Sequence, residues 1–213
     1  MISEAVYLHY LNSLLDGDKK QCVQIVTGLL NQDVSLKEIY LDLLQRAMYR
    51  IGQMWENQRC MIANEHMATK ITESLIELSS EYFSGKNRNG KTALITCVDK
   101  EFHELGARMV AGFMEAMGWN IIFIGSNTPQ NEIIELIKEK RPDIVGISNN
   151  FYINFSRLAK LVAGIKQENP GQEIIIGGQA LAEGKSEFFS EYENVHYITC
   201  LNQLENYLKA MHN

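Results

Sequence analysis

Apolar residues first recur every three or four positions, and later fall into short unbroken runs. Val6, Leu8, Leu11, Leu14 and Leu15 set a helix over residues 2–15, which Asp16-Gly17-Asp18 ends. A second helix from Lys19 to Leu30 has Cys22, Val23, Ile25, Val26, Leu29 and Leu30 as its apolar face, before Asn31-Gln32-Asp33. Ser35 with Glu38 has capping-box spacing and opens a long helix through Ile39, Leu41, Leu43, Leu44 and Ala47 to Trp55. After Asn57-Gln58-Arg59, a fourth helix runs from about Ile62 to Phe83. Four helices on short connections predict an antiparallel bundle.

The polar stretch from Ser84 to Gly90 reads as a linker between domains at 1–85 and 90–213. Beyond it the period changes. Strand-like runs at Thr92–Val98, Asn120–Ile124, Ile144–Ser148, Glu173–Ile176 and Val195–Thr199 alternate with helical patterns at 104–117, 130–139, 153–167, a poorly defined 183–192, and 201–211. Such βα units predict an α/β fold with a parallel sheet covered on both faces. Five strands favour the flavodoxin-like, Rossmann-like, doubly wound order.

Composition narrows the function classes. The net charge is −6 and no stretch gathers Lys and Arg, which argues against direct nucleic-acid binding. No apolar run approaches the roughly 18–20 residues of a membrane span. The amino terminus lacks the basic and apolar regions of a signal peptide, so a cytoplasmic location is expected. Cys22, Cys60, Cys97 and Cys200 form no C-x-x-C pair, so reduced thiols are expected and a zinc site is not.

Candidate chemistry begins at Glu101-Phe102-His103-Glu104-Leu105-Gly106. His103 falls at the carboxyl end of the first strand, where ligands enter open α/β sheets. An imidazole there can ligate a metal while Glu101, two residues earlier, accepts its other N–H and fixes the tautomer. Gly106 allows close backbone approach to a bulky ligand at the helix start. On these residues alone, a buried, hydrogen-bonded histidine is an equal reading. Ser148-Asn149-Asn150 ends another strand with small polar side chains, and Gly177-Gly178 follows Ile174-Ile175-Ile176 as either a tight turn or a ligand approach. Neither G-x-G-x-x-G after the first strand nor G-x-x-x-x-G-K-[ST] is present, which disfavours nicotinamide, flavin and P-loop sites. In the helical half, Trp55, then nine residues, then Glu65-His66, with Ile62 between, gathers an indole, a carboxylate and an imidazole near a helix junction. A core Trp and a solvated Glu-His pair are the other reading. H-E-x-x-H does not occur.

In combination, the bundle, linker, α/β domain, E-x-H-x-x-G, strand-end Ser and Gly-Gly resemble the cobalamin-binding modules. That group includes the cobalamin part of methionine synthase, the corrinoid methyl-carrier proteins and the CarH/LitR-type photoreceptors. The resemblance covers residues from about 5 to 211. It implies base-off/His-on binding, with His103 as lower cobalt ligand, Glu101 as its partner, Gly106 as the close-approach position, and Ser148, Gly177 and Gly178 lining the tail pocket. Glu101 stands where Asp is usual, and Asn150 where the family has Leu or Thr.

W-x9-E-H resembles the photoreceptor signature. That resemblance implies that Trp55, Ile62 and Glu65 pack on the adenosyl group, and that His66 becomes the upper cobalt ligand after photolysis. Glu56 stands where the best-known photoreceptors have His. The resulting expectation is an adenosylcobalamin sensor, responsive to light, whose output passes to a partner protein or through homo-oligomerisation. The alternative is a methylcobalamin-loaded methyl carrier whose partners are methyltransferases.

Overall fold

The computed structural model describes residues 1–83, 88–181 and 188–211. The chain divides into two compact units, Met1–Ser84 and Gly85–Asn213.

The first unit is helical. α1 is Glu4–Leu15, α2 is Lys19–Asn31 and α4 is Ile62–Phe83. Between them, α3 comprises Leu36–Glu38, a π-helical segment Ile39–Gln45, and Arg46–Glu56. Ser35 caps α3 by accepting the Glu38 N–H at 3.2 Å. The reciprocal half of the capping box is replaced, because the Glu38 carboxylate pairs with the Met1 ammonium at 2.8 Å. The π segment carries no signal in the apolar spacing. Its Tyr40 is fully buried and donates its hydroxyl to the Ile76 carbonyl of α4 at 3.3 Å. Tyr10, Leu14, Leu30, Ile39, Leu43, Leu44, Ile51 and Leu75 complete the core, each at most 1% exposed. The apolar spacing folds the unit because burying these side chains offsets the chain entropy that four helices lose.

The second unit is a five-stranded sheet: β1 Thr92–Cys97, β2 Asn120–Gly125, β3 Ile144–Ser148, β4 Glu173–Gly177 and β5 Val195–Tyr197. Every pairing is parallel and the order is β2-β1-β3-β4-β5, the flavodoxin-like arrangement. Helices α5 Leu105–Ala116, α6 Gln130–Lys140, α7 Phe155–Glu168 and α8 Leu201–Ala210 connect and follow the strands. Val145 and Ile147 of β3 join Ile133, Ile137, Leu158 and Leu161 in one buried cluster. Strand alternation puts Gly146 and Ser148 on the opposite face. There the space beside Gly146 is filled by Ile95 and Ile175.

The strand order reverses between β1 and β3, the switch point at whose carboxyl ends open α/β sheets bind ligands. Most boundaries in this unit lie within a residue of the sequence reading, and two differ by more. Residues 152–154 form a 3-10 turn before α7, and β5 stops at Tyr197. Of the expected helix at 183–192, residues 183–187 lie outside the described residues, and Phe188 and Phe189 are in 3-10 conformation.

Candidate functional site: a carboxylate-braced histidine at the carboxyl end of the sheet

The loop after β1 carries the candidate histidine. Val98 N–H bonds the Ser148 carbonyl at 3.1 Å, so the β1–β3 pairing extends one step into the loop. The chain then reverses through Lys100, whose φ is +64°. A lysine in the left-handed region is strained, and this strain presents the next side chain inward.

That next side chain is Glu101, a carboxylate with no exposure. Its Oε1 accepts the His103 backbone N–H at 3.0 Å and lies 3.1 Å from His103 Nδ1. Its Oε2 accepts from the Asn150 N–H at 3.0 Å, the Phe151 N–H at 3.2 Å and the Asn154 amide at 3.4 Å. Burial alone pushes the Glu101 pKa up. The bonds from His103 N–H, Asn150 N–H, the His103 ring and Phe151 N–H outweigh it and hold the group below its ordinary value. An ionised Glu101 accepts a proton-bearing Nδ1, which leaves Nε2 as the imidazole lone pair. The His103 side chain is 61% exposed.

Glu104, the next acid, ties this loop to the β2 end. It accepts the Ser126 N–H at 2.8 Å and pairs with Arg108 at 3.1 Å. Gly106, in the first turn of α5, is exposed, and a Cβ there would meet nothing within 4 Å. Its lack of a side chain is therefore unexplained by packing within the chain. Gly106→Ala is expected to leave the ligand-free protein as stable or more stable by up to about 1 kcal/mol, while weakening binding of any ligand that uses the open space. A thermal melt with a binding titration checks both. A fall in the melting temperature would mean that the glycine serves the fold.

Across the strand ends, Cys97 pairs in register with Ser148, and Ser148 with Gly177. Alternation therefore puts three small residues in one row, on the face that carries Gly146. Cys97 is fully buried, and burial with the nearby Glu101 and Glu104 carboxylates pushes its thiol up to about 12. It lines the row as a neutral thiol. Gly178 has another role. Its φ is +103°, and a Cβ would lie 2.6 Å from Asn149 C and 2.9 Å from Asn149 N. Asn149 is itself fully buried, and neither amide atom has a partner among the described residues. Unpaired buried amide atoms are costly, so this strand end suits a polar group or water that pairs with them.

In the helical unit, Trp55 and Ile62 are 45% and 52% exposed. They line an open recess of about 630 Å³ with Gln58, Arg59, Cys60 and Met61. Glu65 and His66 are not among its lining residues. Glu65 accepts the Thr69 hydroxyl at 2.9 Å and lies 3.7 Å from His66 Nε2, with the His66 side chain 70% exposed.

Asn150, Phe151 and Asn154 are the functional residues that sequence reasoning missed as parts of the histidine's setting. Their only signal is the departure from an apolar residue at Asn150. Among the described residues, no three His, Cys, Asp or Glu side chains gather as a metal cage. As a metal site, His103 would supply a single protein ligand. Such a site suits a metal whose other positions are filled by a cofactor, and cobalt in a corrin is such a metal.

Comparison with known proteins identifies the family of the chain. Residues 91–206 match the B12 binding domain, and residues 9–78 match a second B12 binding domain family. The chain belongs to the B12 binding domain family. As a B12-binding chain it is 23% identical, over 141 residues, to the HTH-type transcriptional repressor CarH of Myxococcus xanthus. That match covers 65% of this chain and 46% of the repressor, so the chain spans less than half of that relative. A corrinoid protein of Desulfitobacterium hafniense is 20% identical over 173 residues, covering 78% of this chain and 80% of its own. Dimethylamine corrinoid protein 3 of Methanosarcina acetivorans is 21% identical, with 80% and 82% covered. In fold, the chain matches the monomethylamine corrinoid protein of Methanosarcina barkeri with a TM-score of 0.81, at 14% identity, over 98% of this chain and 100% of that one. B12 binding and the helical plus Rossmann-like fold are thereby established, as is kinship with CarH and the corrinoid proteins. Among the described residues, no helix is long and apolar enough to cross a membrane.

Proposed function

We propose that this B12-binding chain is a corrinoid methyl carrier that holds cobalamin base-off with His103 as the lower ligand. The observation that carries the ligation is His103 itself, with Nδ1 braced by a buried carboxylate on a side chain that is 61% exposed. Support for the carrier role comes from relatives named as corrinoid proteins, which align along most of both chains. When bound, cobalamin would supply a cobalt atom that can hold and release an alkyl group. The chain's own residues bind and orient. Glu101 sets the tautomer, Gly106 leaves room for the corrin, and the Cys97, Ser148 and Gly177 row receives the tail. The partner of such a carrier is a methyltransferase. A fold match to a chain of the methanol:cobalamin methyltransferase complex of Methanosarcina barkeri, with a TM-score of 0.52 at 13% identity, supports that expectation.

A second reading, the adenosylcobalamin sensor, is favoured by one observation: Trp55 and Ile62 stand exposed at one recess with Glu65 and His66 close by in the chain. One experiment separates the two. The protein is loaded in the dark with methylcobalamin or adenosylcobalamin, titrated, and then illuminated with green light. The carrier reading predicts affinities within about tenfold of each other and identical light responses in wild type and His66→Ala. A strong adenosylcobalamin preference, with a stable light product that His66→Ala cannot form, would replace the carrier with the sensor.

A further inference from the structure

Asn150 and Phe151, in the loop after β3, reach back to Glu101 and His103 through three hydrogen bonds. Asn150 donates its N–H to Glu101 Oε2 at 3.0 Å and its side-chain amide to the His103 carbonyl at 2.8 Å. Phe151 donates its N–H to Glu101 Oε2 at 3.2 Å. The Gln179 N–H holds Asn150 Oδ1 from the β4 side at 3.4 Å. With its backbone pinned in this way, Phe151 sets its ring against the His103 imidazole, with centroids 4.7 Å apart and planes at 79°. Phe151 is nevertheless 49% exposed, so core packing does not explain a phenylalanine here.

We propose that Phe151 is a positioning residue for the lower ligand, its ring fixing the rotation of the His103 imidazole so that Nε2 keeps one direction. The inference rests on the reading of His103 as the cobalt ligand. The Glu101 bond at Nδ1 fixes one edge of the imidazole, and one bond acts as a hinge about which the ring can rock. An edge-to-face contact from a second direction removes that freedom. An aromatic pair of this kind shifts populations by about threefold to tenfold. A ligand held in its bound orientation before metal arrives loses less entropy on coordination. Exposure of Phe151 follows from the same role, since the ring must sit at the surface where Nε2 does.

The test uses the full chain, labelled with 15N-histidine and loaded with cob(II)alamin, as wild type, Phe151→Leu, Phe151→Ala and Phe151→Tyr. Electron paramagnetic resonance reads the nitrogen splitting at cobalt, and the label distinguishes a protein imidazole from the tail base. Wild type and Phe151→Tyr are expected to show the labelled nitrogen on cobalt. Phe151→Leu and Phe151→Ala should lower the ratio of His-ligated to unligated cobalt about threefold to tenfold, with unchanged thermal melts of the ligand-free proteins. Leucine retains bulk but not the ring edge, so equal loss in both variants points to the aromatic contact. Four identical spectra would overturn the role of Phe151 and leave the assignment of His103 standing. Absence of labelled nitrogen from wild-type cobalt would overturn both.

Discussion

Glu101→Ala is expected to destabilise the ligand-free protein by about 3 kcal/mol and to weaken cobalamin binding about tenfold to a hundredfold. The carboxylate has no exposure and is shared by three backbone N–H groups, the His103 ring and the Asn154 amide. Alanine leaves those donors facing a void that only water can satisfy. Glu101→Gln retains the size but turns an N–H₂ toward donors on one side, so it should recover part of the stability and little of the binding. The pH dependence has a definite sign. The folded Glu101 pKa is held below its ordinary value. The stability it contributes is therefore fully present above the ordinary glutamate pKa and is lost as pH falls through the lower folded value. The gap between wild type and Glu101→Ala should narrow in acid. Chemical denaturation at neutral and at acidic pH measures it, and a gap that widens in acid would contradict an ionised, fully bonded Glu101.

Gly178→Ala has a comparable effect for a different reason. The φ of +103° is one that L residues rarely adopt, and the new methyl would meet the Asn149 backbone. That backbone cannot retreat easily. Asn149 N–H bonds the Gly177 carbonyl at 3.0 Å, and the Ala180 N–H bonds the Asn149 carbonyl at 3.2 Å. Strain and overpacking together are expected to destabilise the protein by about 3 kcal/mol, or roughly 10 °C in melting temperature for a unit of this size. A melt within about 2 °C of wild type would mean that the strand end can shift. Gly106→Ala is the control, since the added methyl there meets nothing within 4 Å.

These two glycines show how far the sequence could be read. Both stand at a strand end or helix start, and the same explanation, close backbone approach, fits each from sequence alone. The structure separates them, because Gly178 is packed against the neighbouring strand's backbone and Gly106 faces open space. Domain order was legible, since the period of apolar residues changes from helical to strand-like across one polar stretch. Glu101 and His103 were legible as a pair because two residues suffice to bring a carboxylate under an imidazole in one loop. Asn150, Phe151 and Asn154 were not, because they lie some 50 residues further along the chain. They reach Glu101 only because β3 lies beside β1, a sheet-order fact absent from local patterning. The π segment of α3 was invisible for a similar reason. Its buried positions, Ile39, Tyr40, Leu43 and Leu44, have the spacing of an ordinary α-helix.

The first measurement to make is the absorbance spectrum of the methylcobalamin-loaded protein, in wild type and His103→Ala. Wild type is expected to bind cobalamin with its tail base displaced and the His103 imidazole on cobalt. His103→Ala should lose that spectrum and bind at least about tenfold more weakly, while remaining folded. An identical spectrum and affinity in the two proteins would contradict the account, because the braced histidine would then be a feature of the fold and not the cofactor's lower ligand.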